Sequence, residues 1–152
     1  MRWIWLVAML GLPLAGHAGP LPDGGVSAPE LAAALKTAGY PADITNDRMG
    51  DPLIRSSTGK MVFEVNFFQC GKELRCTSFQ FTAPLHRKAM TPSAIAIWNR
   101  DRRFGRAFLD FRGTPWISMD VEATHGMTTE ALGANIQRWV GVLSAFEVFA
   151  AR

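Results

Sequence analysis

The sequence predicts an α+β domain: an antiparallel sheet of about five to six strands with three helices, in the order α-β-β-β-β-α-β-β-α. Three observations predict it. Two runs with strand-like alternation, residues 61–68 and 77–82, follow one another as a hairpin requires. A long apolar stripe at helical spacing closes the chain, through Leu132, Ile136, Trp139, Val140, Leu143, Phe146 and Phe149. Helix-start signals stand at Ser27, Thr91 and Thr128, with Gly/Pro turns and apolar extended runs between them.

Length and composition set the frame. At 152 residues the chain fits one domain plus a leader, and a hydrophobic content of 48% with 19% charged residues argues against disorder. The leader reads as a secretory signal peptide at residues 1–18. Met1 and Arg2 make a minimal basic start, Trp3 to Leu14 is an apolar run, and Gly16-His17-Ala18 offers a cleavage site after Ala18. The apolar run is too short for a full span. No Cys follows it, which argues against a lipid anchor. Cleavage would leave 15 basic residues against 13 acidic ones. That balance is too mild to imply nucleic acid as a partner. The expectation is a periplasmic or secreted protein without a stable membrane span.

Residues 19–26 are rich in Pro and Gly and read as a flexible N-terminus ahead of the domain at residues 27–152. Ser27-Ala28-Pro29-Glu30 forms a capping box, with Pro29 in the first turn where its missing N–H costs nothing. Leu31, Ala34, Leu35 and Ala38 continue the helix to about residue 38, and Gly39 can end it. Residues 41–46 and 53–57 read as short strands around a turn at 47–52. In the next strand Met61, Phe63, Val65 and Phe67 share one face, and Glu64 and Asn66 the other. Its partner carries Phe79 and Phe81 on one face and Ser78, Gln80 and Thr82 on the other. A polar loop, residues 69–76, joins them.

Thr91 and Pro92 open the second helix, with Ile95 and Trp98 on one side and Ala94 and Ile97 widening the apolar surface to about residue 102. Residues 104–111 read as a strand with Ala107, Leu109 and Phe111 on one face. A turn at Gly113-Thr114-Pro115 leads to a strand at 116–122 that shows Ile117, Met119 and Val121 together. Thr128 caps the last helix, and Glu130 suits the positive end of its dipole.

Several of these pieces also carry a resemblance. The run L-A-A-A-L-K-T-A-G-Y at 31–40, Phe67-Phe68-Gln69-Cys70 with Cys76, Trp98-Asn99-Arg100, and R-F-G-R-A-F-L-D at 103–110 resemble the YbjN-domain family over essentially the whole domain. The resemblance implies a regulator of bacterial sensory transduction with a fold similar to type III secretion chaperones. It implies a binding or regulatory module rather than an enzyme, and it brings no catalytic residues. The leader departs from the plain domain and speaks against a cytoplasmic role.

The residues themselves offer three candidate sites. Cys70 and Cys76 are the only cysteines, and in an oxidising compartment such a pair most simply forms a disulfide. Facing strand ends place the two Cα atoms about 5.5 Å apart. So short a closed loop would contribute roughly 2 kcal/mol. A redox-active dithiol is the rival, although the spacing is not the C-x-x-C of such sites. A metal site would need His86 or His125 as further ligands. Arg100, Arg102, Arg103, Arg106 and Arg112 form a basic cluster, either a solvated surface or an anion, membrane-surface or acidic-partner patch. Phe68, Phe108 and Trp116 each point away from the apolar face of their strand. They would form a partner surface if one side of the sheet is open.

No catalytic set emerges. Ser118, Asp120 and His125 lack a nucleophile-elbow context, the acids are scattered, and no phosphate loop, dinucleotide fingerprint or zinc signature is present. The expectation is an exported, non-catalytic module without cofactor, engaging a protein or peptide in the cell envelope or a second copy of itself. The alternatives are thiol/disulfide chemistry at Cys70/Cys76 and anion or membrane-surface binding at Arg100–Arg112.

Overall fold

The computed structural model describes residues 19–22, 24–86, 89–124 and 126–151. The leader and His125 lie outside the described residues. The order of elements is α1 (Ala28–Thr37), β1 (Asp43–Asn46), β2 (Pro52–Ser57), β3 (Val62–Cys70), β4 (Cys76–Pro84), α2 (Pro92–Asp101), β5 (Arg106–Leu109), β6 (Pro115–Glu122) and α3 (Thr129–Ala150). The strands form one sheet in the order β1-β2-β3-β4-β6-β5, with every neighbouring pair antiparallel. The α+β class and the sequence of elements are as expected. No helix among the described residues is long and apolar enough to cross a membrane.

Alternation along the strands decides which face is covered. Ile54, Val65, Phe81 and Met119 stand in one cross-strand row, and Phe67, Phe79 and Val121 in another. All are buried. α3 lies over them: Trp139 stacks on Phe81 at 5.3 Å and meets Phe63 edge-on at 5.9 Å. α1 packs against α3, β1 and β2, while α2 packs along β5. Trp98 of α2 joins the core through Phe146 and Phe149 of α3. The helices therefore share one face of the sheet. The other face shows Arg55, Glu64, Asn66, Gln80, Arg106 and Asp120, none of them buried.

Caps fall where the residue types placed them. The Thr91 and Thr128 hydroxyls accept from the Ala94 and Ala131 amides, both at 3.1 Å. The Glu30 carboxylate accepts from the Ser27 amide at 2.8 Å.

Four details differ from the sequence reading. β5 ends at Leu109, because residues 110–113 turn, so Phe111 leaves the apolar row and is 91% exposed. Ile97 faces solvent, since α2 buries only the side carrying Ile95 and Trp98. On α3 the buried position is Val142 rather than Val140. Finally, Leu21 and Val26, in the stretch read as flexible, make specific contacts. Val26 is fully buried and exchanges both backbone hydrogen bonds with Cys76, at 3.0 and 2.9 Å. The Leu21 amide also donates to the Met127 carbonyl at 2.8 Å.

Candidate functional site

The α2-to-β5 corner is built by side chains that hydrogen-bond backbone. The Asn99 carboxamide accepts from the Ala107 amide at 2.8 Å and donates to the Ala107 carbonyl at 2.9 Å. It thereby occupies the outer edge of β5 as a neighbouring strand would. The Trp98 indole donates to the Gly105 carbonyl at 2.8 Å. Gly105 has φ +76, and a Cβ there would lie 2.3 Å from Val142 Cγ1, so the chain can turn this closely against α3 only with glycine.

The arginines separate into different environments. Arg100 forms a two-point pair with Asp101, at 2.7 and 3.1 Å. The hydrogen bond from Arg100 holds the Asp101 carboxyl below its ordinary range. Arg102, Arg103 and Arg106 line one cavity of about 310 Å³ with Asn99, Ser118 and Asp120. Arg102 lies over the Trp98 ring at 5.4 Å. Arg112 sits at the far end of β5, over Phe111. Asp110 serves the turn that follows β5. Its carboxylate accepts from the Arg112 and Thr114 amides, both at 2.8 Å, and from the Trp116 indole at 3.3 Å. Burial raises its pKa, but these donors outweigh that and hold it below the usual carboxylate range.

Two residues of this corner, Phe104 and Arg138, were not among the candidate site residues. Phe104 is 47% exposed and carries Arg103 at 5.6 Å and Arg138 of α3 at 4.8 Å. Nothing in the spacing of α3 indicates that Arg138 approaches a residue more than thirty positions earlier.

Phe68, Phe108 and Trp116 all lie on the face without helices, but they do not form one patch. Phe108 pairs with Trp116 across the ladder, and their rings stack at 6.3 Å. Phe68 pairs with Ser78, which pairs with Glu122 at the other end of β6. At about 3.4 Å per residue, that is roughly 20 Å from Trp116. The Trp116 end borders a cavity of about 900 Å³, lined by Lys60, Val62, Glu64, Pro84 and His86 and also by Glu147 of α3.

Cys70 and Cys76 are joined as a disulfide. They face each other at a non-hydrogen-bonded position, since the backbone groups of Cys76 point to Val26. Their Cα atoms are 3.9 Å apart, closer than the hydrogen-bonded spacing expected. Cys76 is fully buried. Arg75, also missed in the sequence, anchors the hairpin tip. Its guanidinium pairs with Glu30 at 3.1 Å and donates to the Pro22 and Gly25 carbonyls. Gly25 has φ +103, and a Cβ there would lie 2.1 Å from the Cys76 carbonyl oxygen.

No group of three or more His, Cys, Asp or Glu side chains among the described residues is placed to hold a metal ion. The fold and these surfaces define a small α+β module. The chain belongs to the YbjN family, described as "Putative bacterial sensory transduction regulator", whose model matches residues 27–148. No curated protein matches the chain.

Proposed function

We propose that this protein is an exported, non-catalytic regulatory module that grips a protein partner through the uncovered face of its sheet. The observation that carries the reading is the Phe108–Trp116 stack beside the 900 Å³ cavity. An aromatic shelf next to a cavity with mixed polar walls suits an extended peptide that seats one apolar side chain. The family's description as a regulator and the leader at residues 1–18 support the regulatory role and the envelope location. A thiol-exchange role is less favoured, because one sulfur of the bridge belongs to a fully buried residue on a hairpin.

A photo-crosslinking residue placed at 108 and, separately, at 68 tests this in the intact envelope of the native host. Position 108 should give a discrete adduct that Trp116→Ala abolishes, and position 68 should give none. Equal adducts from both positions, or an adduct indifferent to Trp116→Ala, would remove the shelf from the argument. The mass of the adduct distinguishes a foreign partner from a second copy of this chain.

A further inference from the structure

The edge of the sheet formed by β5 carries a second surface, independent of the shelf. Phe104 stands just before β5, and Phe111 stands on the turn just after it. They are 47% and 91% exposed. Each has guanidinium groups over its ring: Arg103 and Arg138 on Phe104, Arg112 on Phe111 at 5.1 Å. A single exposed ring needs no explanation. Two at the ends of one short edge strand, both dressed with cations, are a pattern.

The charge there is cationic on balance: Arg100, Arg102, Arg103, Arg106, Arg112 and Arg138 stand against the carboxylates of Asp101, Asp110 and Asp120. Among the described residues, the ion pairs are Arg55–Glu64, Arg75–Glu30 and Arg100–Asp101. Arg102, Arg103, Arg106, Arg112 and Arg138 are in none of them. Asp101 is taken by Arg100, and the Asp110 carboxylate by the turn amides and the Trp116 indole. Asp120, which shares the cavity with Arg106, accepts from Gln80 at 2.7 Å.

We propose that the β5 edge docks this protein on an anionic phospholipid surface. Phe104 and Phe111 enter the headgroup layer, and Arg103, Arg112 and Arg138 meet lipid phosphates. Guanidinium groups match phosphate with two parallel hydrogen bonds, and aromatic rings suit the boundary between headgroups and acyl chains. A bilayer fits better than an acidic protein for a geometric reason. The two rings flank opposite ends of a four-residue strand and do not share one enclosed pocket. Phe111 projects from a turn, whereas a protein hot spot is central and enclosed. A protruding ring suits a deformable layer.

Protein purified from its native host is sedimented with vesicles of phosphatidylcholine alone or of an equimolar mixture with phosphatidylglycerol. Binding to the mixture should be about tenfold stronger or more, and should weaken steeply with salt. Arg103→Gln/Arg112→Gln should reduce it about tenfold, and Phe104→Ser/Phe111→Ser should do the same with unfolding unchanged. A second measurement does not rely on these variants. An environment-sensitive dye on Phe111→Cys should shift on anionic vesicles, and one on Ile44→Cys, at the opposite edge in β1, should not. Equal binding to both vesicles, indifference to both double variants, or equal dye shifts would overturn the proposal. So would binding to soluble polyglutamate that needs these arginines while vesicles are ignored, which would assign the edge to an acidic protein.

Discussion

The side chain of Asn99 pairs with the backbone of Ala107 as a strand would, giving and taking one hydrogen bond. This closes the β5 edge of the sheet, which would otherwise offer Ala107 for pairing with another chain. It also fixes where α2 hands over to β5, and hence where Arg103, Phe104 and Arg106 stand. Asn99→Ala should therefore cost about 2 kcal/mol, near 1 kcal/mol for each bond. Asn99→Asp should be no better, because a carboxylate can accept from the Ala107 amide but only repels the carbonyl. Urea denaturation checks both, and a loss within 0.5 kcal/mol of zero for the alanine variant would mean the pairing is incidental.

Gly105 predicts a sharper effect at the same corner. Alanine there meets both a positive φ and the Val142 side chain. Gly105→Ala should destabilise by roughly 3 kcal/mol, about 1 from the backbone and the rest from overpacking. Adding Val142→Ala should recover the packing share but not the backbone share. Full recovery would show that φ is relaxed in the variant, and no recovery that Val142 is not the obstacle.

Much of this architecture was legible because it depends on patterns local to the chain. The alternation of Phe63, Val65 and Phe67, the caps at Thr91 and Thr128, and the stripe from Leu132 to Phe149 each report a face or an end. Asn99 acts locally too, since its partner lies only eight residues on. The surface was less so. Phe68 and Trp116 share a face by parity, but their separation follows from register, which only the pairing through Ser78 and Glu122 reveals. Arg138 over Phe104 and Arg75 on Glu30 are contacts across the chain, and no periodicity signals them. Phe111 was misplaced because the Asp110 turn begins before the strand-like pattern ends.

The bridge between Cys70 and Cys76 predicts a stability role. Its loop is short, with a sequence separation of 6. Cys70→Ser/Cys76→Ser should lose about 2 kcal/mol in chemical denaturation. The adducts at position 108 should be unaffected, since the bridge lies at the Phe68 end of the sheet. If the double variant keeps its stability but loses those adducts, the cysteines serve function rather than folding.

Glu30 and Arg75 give the protein a pH-dependent clasp between α1, the hairpin tip and the N-terminal segment. Burial raises the Glu30 pKa, but the Ser27 amide and the Arg75 guanidinium outweigh it, so the folded value lies below the ordinary one. The sign follows from linkage. A carboxyl with a depressed folded pKa contributes stability that is present above its unfolded value, about 4.3, and is lost as pH falls through the folded value. Glu30→Gln should then cost about 2 kcal/mol at pH 7, the usual scale for hydrogen bonds to a charged group. The gap to the native protein should close on acidification below about pH 4.3. Arg75→Met should cost as much or more at neutral pH, because it also frees the Pro22 and Gly25 carbonyls. It should speed amide exchange at Val26, whose hydrogen bond to Cys76 depends on that segment staying docked. Urea midpoints at pH 7 and pH 3.5 decide the matter. A Glu30→Gln deficit that persists undiminished at the lower pH would show that shape, not charge, holds the clasp.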